Sequence, residues 1–456
     1  MPELSRRQFI RYTGSAIAAT ACTSWPSAIA QTTRQPETFE VLHPRNRVPL
    51  SFIIDDSTCL VNMGHFCMPQ FAEAWPDREI YKKPWKTWPR EIPDRFVREF
   101  GEWCAEHGVK GKYSMVPNPA CVGWLDRGLP GWSSQELKQS LQLVRDLMVP
   151  NWDIHPEMIT HTRVIDIKTG RPVEGANEST MENSFPQNDI SVDELANYLA
   201  YALKILKNCD LPCEGVTTPG GFGNRVKDKL PLAVHQAVRE VFGAELPHYF
   251  KYVASGDEST DPKLEFVSQK KDISQLTMNI PAGTDDWFGG WDGDEKSQPQ
   301  LYANERASRG RMVELIERRR PAVMLCHWPG LYSHGTKQGF LDFKKVVTTL
   351  HERFSKHTLW MKLSEIGRYW AARKLTKIDI DENRVVSIDA PISCADFTVR
   401  LQMRPAKAPT LHSGQLAKQL REVKSREALS AGTFWADDEQ VMVCFDLPKG
   451  LSRMAC

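Results

Sequence analysis

Four groups of residues able to do chemistry stand at or just beyond the ends of short apolar runs. Asp55-Asp56 closes Val48-Pro49-Leu50-Ser51-Phe52-Ile53-Ile54. His155, Glu157 and His161 fall within Asp153-Ile154-His155-Pro156-Glu157-Met158-Ile159-Thr160-His161. Thr284-Asp285-Asp286-Trp287 follows an apolar stretch near 276–281, and His327 ends Ala322-Val323-Met324-Leu325-Cys326. Two imidazoles and one carboxylate, with water at an open position, make a catalytic divalent-metal set. Of the paired aspartates, one would ligate the metal and the other take a proton, because consecutive strand residues point to opposite faces. Each group alone has a plainer explanation: an acidic strand-end turn, or a histidine satisfied inside a core. Four of them at strand ends in one domain are harder to dismiss, since chemistry in α/β folds collects at the carboxyl ends of strands.

Positioning these residues requires a sheet. Apolar, β-branched runs predict strands at 48–56, 112–116, 151–155, 214–218, near 250–255, near 276–281, 322–327 and 359–361. Helical patterns fall between most of them. Phe96, Phe100, Trp103 and Cys104 recur at helical spacing over 94–108, and Leu137, Leu141, Val144 and Leu147 mark 134–147. Ser191-Val192-Asp193-Glu194 is a capping box that opens a helix running to about 207. Further helices are expected at 231–242, 308–319, 341–355 and 364–373. This alternation throughout 48–373 predicts an α/β fold with a mostly parallel sheet of seven or eight strands, compatible with a (β/α) barrel. The segment 57–93 holds Phe66, Phe71, Trp75, Tyr81, Trp85 and Trp88 and reads as a long loop, either lining a groove or packed as an insertion. Residues 162–190 read as a polar excursion. Beyond 376 the runs at Ile378–Ile388, Phe397–Leu401 and Val441–Phe445 read as strands with one helix, about 414–423, among them. The expected division is a leader at 1–30, an α/β domain at 31–375 and a small β-rich accessory domain at 376–456.

The leader is expected from Ser5-Arg6-Arg7-Gln8-Phe9-Ile10-Arg11, a twin-arginine pattern, followed by a modest apolar run ending in Ala28-Ile29-Ala30. That run carries Ser, Thr and Gly, so it predicts export to the periplasm or beyond and no permanent membrane span. The export machinery is the partner this implies. Formal net charge is +1, which supplies no field for nucleic acid or anionic lipid. The sequence has eleven Cys without a CxxC, so a zinc–thiolate site is not expected, and export would permit disulfides.

The ordered set resembles the polysaccharide deacetylase (NodB-like) superfamily over roughly 48–370. A strand-end Asp-Asp comes first, then a His motif, a Pro-Gly loop, an Asp-bearing Trp motif and a Leu-x-His motif. Here these are Asp55-Asp56, His155 with His161, Thr217-Thr218-Pro219-Gly220-Gly221, Thr284-Asp285-Asp286-Trp287 and Leu325-Cys326-His327. The resemblance implies a distorted (β/α) barrel of the glycoside hydrolase/deacetylase type and a divalent metal, Zn²⁺ in the first instance. Asp56, His155 and His161 would hold it. Asp55 would be the general base and His327 the general acid, with Asp285 or Asp286 orienting the imidazole. Pro219, Gly220 and Gly221 would cradle the oxyanion, and Trp287 and Trp328 would stack on a sugar. The implied reaction removes an acyl group, N-acetyl above all, from a carbohydrate. The chain departs from the family pattern in two places. The two histidines are six residues apart, with Pro156 between them, where the family has four, so Glu157 or Asp153 could replace one as ligand. Val216 and Thr217 stand where the family has an Arg that orients the base, and Arg225 is the nearest substitute. Two other readings stay open: a glycan-binding relative without activity, and a hydrolase of small non-sugar amides.

Overall fold

The computed structural model describes residues 39–266, 275–382, 384–403 and 405–455. The expected leader at 1–30 lies outside them. The chain divides into two units, one spanning Val48–Trp370 and the other made of residues 39–47 with 371–455 among those described.

The first unit is mixed α/β. In chain order it runs β1 (Val48–Asp55), α1 (Met63–Ala74), α2 (Asp94–Glu106), β2 (Gly111–Ser114), α3 (Ser134–Leu143), β3 (Trp152–His155), α4 (Val192–Asn208), β4 (Gly215–Thr217), α5 (Leu230–Phe242), β5 (His248–Phe250), β6 (Lys263–Phe266), β7 (Leu276–Asn279), α6 (Arg311–Glu317), β8 (Ala322–His327), α7 (Gln338–Phe354), β9 (Thr358–Trp360) and α8 (Leu363–Leu375). β1 is buried along its whole length, as a central parallel strand covered on both faces must be. The order β8-β1-β2-β3 is parallel throughout, and β9 joins the first half of β1. A second sheet has the order β4-β5-β7-β6, with β6 antiparallel to β7. Single backbone bonds span the two seams: Thr217 N–H donates to Pro156 O at 3.0 Å, and Gly283 N–H to Val323 O at 2.8 Å.

Register decides what the strand ends bring together. His327 on β8 stands opposite Asp55 on β1, and Ser114 on β2 stands opposite His155 on β3. The alternate residues of the same strands build the apolar layer under the helices. Phe52 stacks on Phe343 of α7 at 4.5 Å, and Phe100 of α2 lies 5.6 Å from Trp152 and 5.2 Å from Trp328. The α4 capping box is formed, with Ser191 and Glu194 satisfying each other's backbone N–H groups.

Two local expectations change. The segment 57–93 contains α1, capped by the Asn62 side chain and carrying Pro69 within it. That proline, with Gly64, hides the helical pattern from a sequence reading. Residues 414–423 form no helix: Leu416–Gln419 folds back antiparallel on Thr410–Ser413, with Gly414 at φ 56° in the turn. Glycine supplies that left-handed residue without steric cost. The second unit holds two five-stranded sheets. Its strand Phe39–Val41 pairs with Cys394–Leu401, so residues 39–47 go with the tail and not with the 31–375 span read from sequence. No disulfide joins any of the nine described cysteines, and no described helix is long and apolar enough to cross a membrane.

Phe100 touches four aromatic side chains in the layer between α2, α7 and the sheet. Phe100→Ala is therefore expected to cost about 3–5 kcal/mol in urea unfolding, with the site chemistry below unaltered at temperatures where the variant stays folded.

Candidate active site

β1 ends at Asp55, and Asp56 turns sharply with φ 59°. The turn removes the simple alternation expected of two strand residues, and both carboxylates lie within electrostatic reach of one imidazole, that of His327. Asp55 is fully buried. Its Oδ1 accepts a hydrogen bond from Lys112 Nζ at 2.6 Å, and that ammonium also donates to Ser114 Oγ at 2.6 Å and Ile54 O at 3.1 Å. A buried lysine with three acceptors is a built ion pair, not a surface one. Lys112 thus does for Asp55 what sequence reasoning sought from Arg225. Arg225 is exposed and donates to Gln187 O.

Asp56, Glu157 and His161 gather next to this pair, with one ligand atom from each within 4.8 Å of the others. His161 Nε2 is 2.9 Å from Asp56 Oδ1 and 3.4 Å from Glu157 Oε1. Glu157 Oε2 accepts from Asp56 N–H at 2.8 Å and from Ser114 Oγ at 3.0 Å, which leaves Oε1 facing His161. Burial works against charge on both partners. The facing carboxylates outweigh it for His161, whose pKa is held well above the usual imidazole value, and His161 with Lys112 holds Glu157 ionised. His161 has φ 64°, a costly conformation kept by Glu182. The Glu182 carboxylate accepts from the backbone N–H groups of Ile159, Thr160 and His161, and burial pushes its pKa up to about 7. Glu182 was not singled out from sequence, because it lies in the polar excursion 162–190.

His155 does not join Asp56. It ends β3 with its Nε2 2.9 Å from His248 Nε2, while the chain turns at Pro156 and brings Glu157 to the place expected for it. The ligand set assembled at Asp56 is therefore two carboxylates and one imidazole. Their spacing fits a divalent cation bound at ~2.0–2.2 Å from each donor, and the outer hydrogen bonds on Glu157 are of the kind that orient metal ligands.

His327 Nδ1 and its backbone N–H both meet Asp286 Oδ2, at 2.8 and 3.1 Å. Asp286 Oδ1 accepts from Phe288 N–H, so the carboxylate is fixed at both oxygens. The carboxylate on His327 is thus the second of the Asp285-Asp286 pair; Asp285 is half-buried beside it. Burial works against the imidazolium, but the Asp286 hydrogen bond and the charges of Asp56, Asp286 and Asp55 hold the His327 pKa up at about 9. The Pro219-Gly220-Gly221 loop leaves β4 beside Glu157, through the bridge of Thr217 to Glu157, and Gly220 takes φ 43°. Within that loop the N–H groups of Phe222, Gly223 and Asn224 are spent on Pro219, Phe185 and Gly221 carbonyls, so any cradle rests on Gly220 and Gly221.

The aromatic expectations divide. Trp287 is half-buried near the His327 loop, with its backbone N–H donating to Tyr302 Oη. Trp328 is fully buried against Phe96, Phe100 and Tyr113, so it is a core ring with no face for a sugar. From the 57–93 segment, Phe71 lies 6.3 Å from the His161 ring and packs with Trp75, Tyr81 and Trp291. Phe71, Trp75 and Trp88 are buried, so the segment covers the site and does not line an open groove.

No family model matches the chain, and no curated relative matches it. Among solved structures it is similar to a CE4 family pseudoenzyme from Bacillus anthracis, at 11% identity and TM-score 0.30, covering 71% of this chain and 66% of that one. It is also similar to a glycoside hydrolase family 30 subfamily 8 xylanase from Clostridium acetobutylicum (9% identity, 91% and 96% covered, TM-score 0.29) and to an alpha-fucosidase from Thermotoga maritima (10% identity, 91% and 97% covered, TM-score 0.29). The chain spans about two thirds of the pseudoenzyme's length.

Two outcomes are expected. Lys112→Met leaves Asp55 buried without its cation and should cost about 3–5 kcal/mol in denaturant unfolding, while Lys112→Met with Asp55→Asn recovers most of it. In metal-free protein the His327 ring should titrate near 9 by NMR, and Asp286→Asn should move it down. The pKa is raised on folding, so the Asp286 contribution to stability is complete below ~6.5 and fades as pH rises through about 9.

Proposed function

We propose that the first unit is a metal-dependent hydrolase that removes an acyl group, N-acetyl in the first instance, from a carbohydrate amide. The observation that carries this is the convergence of Asp56, Glu157 and His161 beside two separately held groups, Asp55 on Lys112 and His327 on Asp286. Asp56, Glu157 and His161 would hold the cation. A divalent ion there would polarise the acyl carbonyl and lower the pKa of water from ~15.7 toward ~7. Asp55, ionised against Lys112, takes the proton of the attacking water. His327, kept as imidazolium by Asp286, gives a proton to the leaving nitrogen. Gly220 and Gly221 present backbone N–H groups to the developing oxyanion, where one such donor is worth about 3 kcal/mol. The two sheets with bridged seams support a distorted seven-stranded barrel, read round as β8-β1-β2-β3-β4-β5-β7. The twin-arginine pattern supports export with the metal already loaded.

A second reading keeps the chemistry and changes the substrate. Asp56 and Glu157 are 1% exposed and His161 8%, under a cover of Phe71, Trp75, Tyr81 and Trp291. A site closed to that degree favours a small amide over a polymer.

Zinc-loaded protein should release acetate from N-acetylated sugar oligomers or from small acetamides, and the ratio of the two rates separates the readings. Asp55→Asn should lower the rate roughly 10²–10⁴-fold with metal retained, whereas His161→Ala should lose one equivalent of bound metal together with the rate. Absence of acyl release from both substrate classes by the loaded protein would end the hydrolase reading.

A further inference from the structure

A second set of ligand-bearing side chains lies outside the machinery described so far. Asp153, His155 and His248 offer one ligand atom each, all within 4.8 Å of one another. Asp153 and His155 are two apart on β3 and share a face, opposite Trp152 and Ile154, which belong to the apolar core. His248 opens β5, in register with Gly215 on β4. The two Nε2 atoms are 2.9 Å apart, and His248 Nε2 is 3.8 Å from Asp153 Oδ2. Both imidazoles are buried, and the Asp153 side chain is 11% exposed.

Three further observations point the same way. A Cβ on Gly215 would come within 2.6 Å of His155 Nε2 and 2.7 Å of His248 Nε2. The φ of Gly215 is not among the positive values, so glycine is required there for space and not for backbone freedom. Two of the three donors also have outer partners. His155 Nδ1 is 3.2 Å from Thr217 Oγ1, and Asp153 accepts from Ser364 N–H at 2.7 Å and Ser364 Oγ at 2.8 Å. Such partners fix ring tautomer and carboxylate orientation around a metal. Both rings are also buried, out of reach of the water that would otherwise satisfy their nitrogens. A shared N–H between two neutral rings would also bring them to 2.9 Å, yet it makes no use of Asp153, 3.8 Å away on the same side.

We propose that Asp153, His155 and His248 form a second, structural divalent-metal site of zinc class, separate from Asp56, Glu157 and His161. Ligands bound at ~2.0–2.1 Å in a tetrahedron stand about 3.3 Å apart, so the rings part by a few tenths of an ångström on binding. The ion ties β3 to β5 and, through Ser364, to the start of α8. It is buried and takes no part in the acyl chemistry, so it stands whether or not the proposed hydrolysis does.

The test uses the full chain and zinc alone. Crystals grown with zinc are measured at the zinc absorption edge, and an anomalous peak between His155 and His248 is expected; its absence at full zinc loading overturns the site. A peak at Asp56 is scored separately and bears on the hydrolase reading only. In solution, elemental analysis after gel filtration should find about one zinc in His161→Ala and none in His161→Ala/His248→Gln. A folded His161→Ala that carries no zinc overturns the proposal as well.

Discussion

Three carboxylates, those of Asp55, Asp56 and Glu157, are buried together at one end of a parallel sheet, and the rest of the site follows from neutralising them. Removing an ion from water costs several kcal/mol even after relaxation, so none of the three can be left without a partner. Lys112 serves Asp55 from the neighbouring strand. His161 serves Asp56 and Glu157 from a loop that has to be bent into place. One ammonium and one imidazolium face three carboxylates, which leaves an excess of negative charge in the cluster. His327, held up at about 9 by its Asp286 hydrogen bond and the charges of Asp56, Asp286 and Asp55, is the next group to feel that excess.

Register is what makes this arrangement cheap. A parallel ladder that sets His327 opposite Asp55, and Ser114 opposite His155, delivers Asp55, His327 and Ser114 to one row without any loop having to search for them. Ser114 then joins the two halves, accepting from Lys112 and donating to Glu157. His161 has to be placed from a loop beyond the ladder, and Glu182 spends one carboxylate on three consecutive backbone N–H groups to secure it.

Much of this was legible in residue order because strand ends have a local signature. An apolar run that stops at Asp55, Asp153-Ile154-His155 or His327 announces both the strand and the side chain at its mouth. What could not be read was which polar residue a turn would carry inward. Pro156 redirects the chain so that Glu157 reaches Asp56 and His155 stays with His248. Sequence spacing alone treats these two as interchangeable. Lys112 was hidden for a related reason. A lysine inside Lys112-Tyr113-Ser114-Met115-Val116 reads as a solvent-facing break in a strand, and only the register against Ile54 and Asp55 turns it into a buried cation. Trp328 shows the opposite error, since a tryptophan after a catalytic-type histidine suggests a substrate platform while alternation sends it into the aromatic core.

Strain completes the picture. Asp56, Met158 and His161 all adopt left-handed backbone, at φ 59°, 54° and 64°. Non-glycine residues held in such conformations cost of order 1–3 kcal/mol each, with Asp and His the more tolerant. A fold that accepts this cost, and adds uncompensated negative charge at the same point, has a site whose empty state is raised in energy. A divalent cation at the proposed site would offset that charge, and by binding the folded chain and not the unfolded one it would stabilise the domain. The same coupling accounts for the placement of Glu182. If the carboxylate that holds the 159–161 turn were replaced by a weaker acceptor, the turn could relax toward ordinary backbone angles. His161 would swing away, and the cluster would lose geometry before it lost any of its charges.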